Sequence, residues 1–144
     1  MREIGPLGPG RVSVFSDVEL AYLASQRLGR LATVAKGQPH VVPISFRHNP
    51  DTDTIDLGGH GLGLSKKFRD VQRHPRVAFV VDDVPPPWRP RMVEIRGTAV
   101  TVPTGGESFG RGFAPEIIRI TPTRIVSFGL EDERSARDVP ARVA

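Results

Sequence analysis

The sequence contains no cysteine. Disulfide scaffolds, thiolate metal sites and cysteine nucleophiles are therefore excluded. No apolar run approaches the ~20 residues a membrane helix needs. The stretch Met1 to Pro9 has no apolar signal-peptide core, so a cytoplasmic protein without a membrane partner is expected. Aromatic residues make up only 6% of the chain, and most fall at apolar-periodic positions. Nucleic-acid binders interleave aromatics with basic residues along a face, so no nucleic-acid partner is expected. Lysine is scarce: 17 of the 20 basic residues are arginine, and the lysines are Lys36, Lys66 and Lys67. His40, His48, His60 and His74 lack metal-ligand spacing. On an extended strand His40 and His48 would lie about 27 Å apart, so no metal is expected. The G-x-S-x-G elbow, the P-loop and G-x-G-x-x-G are all absent.

What is present fits one domain of 144 residues, long enough to bury a core. The formal charge is +4, from 20 basic and 16 acidic residues. Between Ser65 and Arg76 there are five basic residues and one acid, so this segment alone carries the excess. A compact anion is the natural partner of such a patch.

Residues 1–14, with Gly5, Pro6, Gly8, Pro9 and Gly10, read as a flexible arm. Residues 131–144 are charged and lack apolar periodicity, so they read as a frayed tail. The domain proper is residues 15–130. Ser16 to Glu19 forms a capping box and opens a helix that Gly29 is expected to end. A strand from Arg30 to Ala35 and one from Pro39 to about His48 follow, joined by a tight turn at Lys36-Gly37. Thr54 to Gly58 is a third strand. A short helix runs from Ser65 to about Arg73, with Leu64, Phe68 and Val71 as its expected buried stripe. Arg76 to Asp82 reads as a strand buried on both faces. Met92 to Val102 is a long strand. Ile117 to Gly129 is a final strand or a bent pair broken near Pro122. The pattern is mainly β and antiparallel, with short helices, and suits a small barrel.

Two segments carry the candidate chemistry. On the second strand Val42, Ile44 and Phe46 point one way, and Val41, Pro43 and Ser45 the other. Pro43 cannot donate to a ladder. The short-side-chain face either receives a flat ring or is an edge protected by proline. The second segment is Gly58 to Lys67. Glycines allow close backbone approach, and a helix start favours an anion. Lys66 and Lys67 add charge, with Lys67 about 60° from the apolar stripe on a helical wheel. The plainer reading is a glycine turn with surface lysines. Glu94 and Arg96 read as a surface pair, and Trp88 as a packing plug or a cleft wall.

Taken in order, these segments resemble a known family. The stretches are Gln38 to Phe46, Leu57 to His60, Ser65 to Val77, Pro87 to Arg91, Val93 to Ala99, and Ile118 to Leu130. Together they resemble the pyridoxamine 5′-phosphate oxidase-like flavin and deazaflavin-binding family, and its F420-dependent branch in particular. The resemblance implies an FMN-binding-like, Greek-key split β-barrel that forms a homodimer with two sites at the subunit interface. It implies that the cofactor ring lies near Val42, Pro43 and Ile44. It implies that the phosphate meets Ser65, Lys66 and Lys67 after the bend at Gly59 and His60. Trp88 and Arg91 would close the site from the partner chain. In the FMN-using oxidases a basic side chain on the second strand also holds the phosphate. Val41 and Val42 stand there in this sequence, which favours coenzyme F420 over FMN. The implied activity is hydride transfer from reduced F420 to an unsaturated or quinone-like small molecule, with no catalytic side chain assigned. The alternatives are an FMN-dependent oxidase or reductase of the pyridoxamine phosphate oxidase type, and a non-catalytic flavin or F420 binder.

Overall fold

A computed structural model describes residues 12–131 and 134–141. Its elements in chain order are α1 (Asp17–Ala24), β1 (Leu28–Ala35), β2 (Gln38–Asn49), β3 (Thr54–Gly58), α2 (Lys66–Arg73), β4 (Arg76–Asp83), β5 (Arg91–Val102), β6 (Ile117–Phe128) and β7 (Ser135–Asp138). Single 3₁₀ turns occupy Leu62–Leu64 and Gly106–Phe109.

Every strand pairing is antiparallel, and the spatial order is β3-β2-β1-β4-β5-β6-β7. A further pairing of β3 with β6 closes six strands into a barrel. This is the mainly β, antiparallel small barrel that the sequence pattern implied, in the split-barrel form that the resemblance implied. The interior holds Leu31, Ile55, Leu57, Phe79, Ile95 and Ile125, all essentially inaccessible.

Local chemistry accounts for most of the elements. Ser16 Oγ accepts from the Glu19 N–H, and the Glu19 carboxylate accepts from the Ser16 N–H. That reciprocal cap starts α1. Lys36 and Gly37 both have positive φ, 52° and 75°. This is the backbone that a two-residue hairpin with the right twist requires. Alternation along β5 buries Val93, Ile95, Gly97 and Ala99. A Cβ at Gly97 would strike the Thr121 carbonyl. Opposite it, β6 is one strand with a register shift beside Pro122 rather than a broken pair. Proline has no N–H to offer the ladder there.

Three expectations are corrected. Gly29 does not end α1; the helix stops at Ala24 with Ser25 as its cap. Gly29 lies inside β1, where only glycine fits because a Cβ would run into the Phe79 ring. Leu64 is not part of a buried stripe but is 86% exposed, and Leu62 is buried in its place. The 3₁₀ turn changes the angular phase between Leu64 and the helix, so extending the 100° step backwards fails. β4 alternates, with Val77, Phe79 and Val81 buried and Ala78 and Val80 only partly covered.

The charged end also differs from a frayed tail, since Ser135–Asp138 pair with β6. Arg137 makes the reason clear. Its guanidinium donates to both oxygens of Glu19, at 2.6 and 3.0 Å, and to the Val14 carbonyl at 2.8 Å. At the other end, Ser13 Oγ and the Val14 N–H donate to Asp53. Residues 12–14 of the expected arm are thus tied down. Residues 1–11, 132, 133 and 142–144 lie outside the described residues.

Glu19 is 1% exposed. Burial alone would raise its pKa, but hydrogen bonds from Arg137, the Ser16 N–H and Ser127 outweigh this and hold it below 4.5. A carboxylate with a depressed folded-state pKa stabilises the fold above its ordinary range. That contribution is lost as pH falls through the folded value. Arg137→Ala leaves the buried carboxylate short of its cation, while water reaching the vacated space relieves part of the cost. A loss of about 2–4 kcal/mol in urea unfolding at pH 7 is expected, shrinking in acid as pH falls through the depressed Glu19 value. An unchanged urea midpoint at pH 7 would show that the clamp holds nothing together.

Candidate functional site

The β2 strip has the predicted geometry. Ile44 and Phe46 are buried and Val42 is partly so, while Val41 and Pro43 are exposed. β3 joins β2 only from Ser45 onward, through Ser45↔Gly58. Upstream, β2 pairs with β1 alone, as in Arg30↔Pro43 and Ala32↔Val41. The edge around Pro43 is therefore open among the described residues, and 67% of Val41 is accessible.

The bend after β3 brings the polar candidates together. Gly61 takes the left-handed conformation, φ 62°, and the 3₁₀ turn follows. Ser65 caps α2, accepting from the Phe68 N–H at 3.3 Å while its hydroxyl donates to the Leu62 carbonyl at 2.7 Å. Helix geometry leaves the Lys66 and Lys67 N–H groups without intrahelical acceptors. Phe68 and Val71 anchor the helix in the core.

The two lysines differ. Lys66 is exposed and spends its charge on Asp70, Nζ to carboxylate 2.8 Å, an i,i+4 pair. That hydrogen bond holds the Asp70 carboxyl below its usual value. Lys67 is half-buried and has no ion pair among the described residues. Its charge is available. Arg69 and Arg73 are exposed, as their wheel positions require. With Lys36, Gln38, His40 and His74 they line a basic hollow of about 440 Å³ between α2 and the β1–β2 turn.

Gly59 and His60 face a different neighbour. The β5–β6 connection folds over them, with the Ala114 N–H donating to the Gly59 carbonyl. His60 Nδ1 lies 2.6 Å from the Gly112 carbonyl oxygen. The His60 ring lies 4.6 Å from that of Phe113, which stacks at 5.4 Å on Phe109. Phe109 in turn covers Gly58, where a Cβ would come within 2.7 Å of the ring. The sequence reading missed this aromatic row. Its signal was the bare Gly58-Gly59 pair, which leaves room for a ring.

Arg91 and Trp88 lie elsewhere within one protomer. Arg91 stands opposite Asp83, seven residue steps along β4 from Arg76, or about 23 Å. α2 ends near Arg76, at the other end of that strand. The Arg91 guanidinium donates twice to Asp83, at 2.7 and 3.0 Å, and lies over the Tyr22 ring. These hydrogen bonds hold Asp83 below the usual carboxylate range. Tyr22 also donates to Asp83, and burial together with that acceptor raises its phenol well above 10.0. Arg91 is thus a strut for α1 and borders a separate cleft of about 510 Å³ with Tyr22, Ala21 and Leu130. Trp88 is 75% exposed on the β4–β5 connection. Glu94 and Arg96 form the expected surface pair, at 3.3 Å. No cluster of three or more metal-ligating side chains occurs among the described residues. Nor is any helix there long and apolar enough to cross a membrane.

Residues 15–138 match the family described as pyridoxamine 5′-phosphate oxidase. The chain is 48% identical over 134 residues to a 5a,11a-dehydrotetracycline/5a,11a-dehydrooxytetracycline reductase from Streptomyces rimosus, covering 88% of this chain and 94% of that one. Among solved structures it is similar to the conserved hypothetical protein Rv2991 from Mycobacterium tuberculosis. There the TM-score is 0.63 at 23% identity, over 81% of this chain and 86% of that one. It is also similar to an FAD-binding protein from Mycobacterium smegmatis. That pair gives a TM-score of 0.60 at 24% identity, over 81% and 96% of the two chains. At these identities the structural likenesses speak for the fold.

Proposed function

The chain belongs to the pyridoxamine 5′-phosphate oxidase family, and from that premise we propose that it is an oxidoreductase using reduced coenzyme F420 to reduce an unsaturated or quinone-like small molecule. A curated relative at 48% identity is named as a reductase, which supports the reaction class. The observation that carries the cofactor reading is the unspent charge of Lys67 in the first turn of α2. A phosphate there meets free N–H groups, the positive end of the helix dipole and an ammonium.

The residues fit such a cofactor. The face of β2 at Val41 and Pro43 is short-chained and open, so a flat ring can lie near Val42, Pro43 and Ile44. Ser65, Lys66 and Lys67 would hold the phosphate at the start of α2, whereas Gly59 and His60 are turned to the β5–β6 connection. The basic hollow beside α2 would take an acidic tail. When bound, a reduced deazaflavin supplies a hydride, and a solvent proton completes reduction of the acceptor. The protein's part is to position the reactants and exclude water. No side chain is required as acid or base.

Val41 and Val42 put no cation at the positions of the second strand where the FMN-using oxidases hold the phosphate. F420 is therefore expected to bind more tightly than FMN in side-by-side fluorescence titrations. Equal or reversed affinities would sink the cofactor assignment and favour the FMN alternative. Turnover of F420H2 against a panel of enones and quinones separates an enzyme from a mere binder.

A charge-assisted hydrogen bond to phosphate is worth about 1.5–3 kcal/mol. Lys67→Ala should therefore weaken F420 binding by roughly 10- to 150-fold. Lys66→Ala should cost less, because its charge is shared with Asp70. Arg69→Ala and Arg73→Ala should each cost much less than Lys67→Ala, because screening at physiological salt weakens what their exposed charges offer the tail across the hollow. A Lys67→Ala protein that binds like the parent while Arg73→Ala does not would move the phosphate site off the start of α2.

The open edge at Pro43 and the exposed Val41 and Trp88 also support a homodimer with the sites at its interface. Sedimentation at micromolar concentration should give twice the 15.7 kDa chain mass. A stable monomer would argue against an interface site.

A further inference from the structure

The outward face of β2 does not end at Ser45. The next residue of the same parity is Arg47, half-buried at the closed end of the strip. Among the described residues, its Nε is the buried side-chain nitrogen or oxygen that finds no hydrogen-bond partner. Such a group costs stability and calls for an explanation.

An acid does stand nearby. Asp56 faces Arg47 directly in the β2–β3 register. It is fully buried, but its acceptors are already used. Arg119 donates to both oxygens at 3.0 and 3.2 Å, Asn49 to one at 2.8 Å and Thr54 to the other at 3.0 Å. One carboxylate between two guanidiniums leaves a net positive charge, and it resides on Arg47. What Arg47 does have is a ring: its guanidinium carbon lies 5.3 Å from the Phe109 centroid. Phe109 continues into Phe113 and His60, so the cation ends a row of flat groups lying over the Gly58-Gly59 bend.

We propose that Arg47 and the Phe109–Phe113–His60 row form the acceptor subsite of the enzyme, taking a planar ring system that carries an anionic oxygen, such as an enolate or a phenolate. The aromatic row supplies stacking area, and Arg47 supplies the counter-charge. The acid that would otherwise neutralise it is held by Arg119. The assignment rests on the oxidoreductase reading above.

The test compares two naphthoquinones of the same size. 2-Hydroxy-1,4-naphthoquinone is an anion at neutral pH, and 2-methyl-1,4-naphthoquinone is neutral. Calorimetry with the full chain, with and without oxidised F420, should show the hydroxy compound binding more tightly. In Arg47→Gln that preference should fall by roughly 10- to 150-fold, the range of a charge-assisted hydrogen bond. Affinity for the neutral quinone and for F420 should hold. The melting temperature should stay level or rise, since the variant removes an unsatisfied buried group. Arg47→Lys keeps the charge but not the planar fork, and should lose the larger part of the preference. A preference that survives Arg47→Gln overturns the subsite. So does a lowered melting temperature with the preference intact, which would make Arg47 a strut for Phe109. If F420 fails to bind while the preference still depends on Arg47, the cofactor reading falls and the subsite stands.

Discussion

The seam between β3 and β6 is the constraint from which the rest follows. It is short: Ile55↔Ile120, Asp56↔Arg119 and Leu57↔Ile118. Two of these pairs are apolar and fill the barrel interior, and the third places an ion pair on the outer side. Closing the barrel there fixes β3 at five residues against the end of β2. The other half of β2 is then left with a single neighbour. Pro43 falls in that half, where the missing N–H costs no ladder bond. The seam also decides the charges. Asp56 serves Arg119 because the two face each other across it, and Arg47 on the far side of Asp56 goes without. One closure thus leaves both an open apolar strip and an unspent cation along the same strand.

Charge is arranged differently at the two ends of the molecule. Around α1, cations and carboxylates are matched inside the fold: Arg137 with Glu19, Arg91 with Asp83. Around α2 the match is incomplete, with Asp70 answering only Lys66. The imbalance is what the proposed anion site at the start of α2 draws on.

Much of the fold could be read locally. The capping box, the Lys36-Gly37 turn and the alternation along β2 and β5 each depend on neighbours within a few residues. The errors came where distance mattered. Gly29 looked like a helix stop until Phe79, 50 positions away, explained the missing side chain. The tail looked frayed because four residues carry too little periodicity to announce a strand, and its anchor lies 118 positions upstream. At the candidate site, the lysines were legible from their place after the glycines, and the helical wheel already set Lys67 nearer the apolar stripe. The pairing was not legible: that Asp70 takes up Lys66 and leaves Lys67 without an ion pair among the described residues emerges only from the fold. Arg47 could have been found by following the parity of Val41, Pro43 and Ser45 one step further. Its isolation could not, since that depends on Arg119.

The Glu19–Arg137 clamp has a consequence for how the chain is made. A ribosome delivers Glu19 early and Arg137 only 118 residues later. At about 5–20 residues per second that is a wait of roughly 6–24 s. During it, α1 can settle on the barrel only by burying a carboxylate that is short of its cation. The helix that begins the fold is therefore fully secured only when the last strand arrives. Vectorial synthesis and the order of consolidation run in opposite directions here, and a nascent chain halted before β7 would hold its first helix more weakly than the finished chain does.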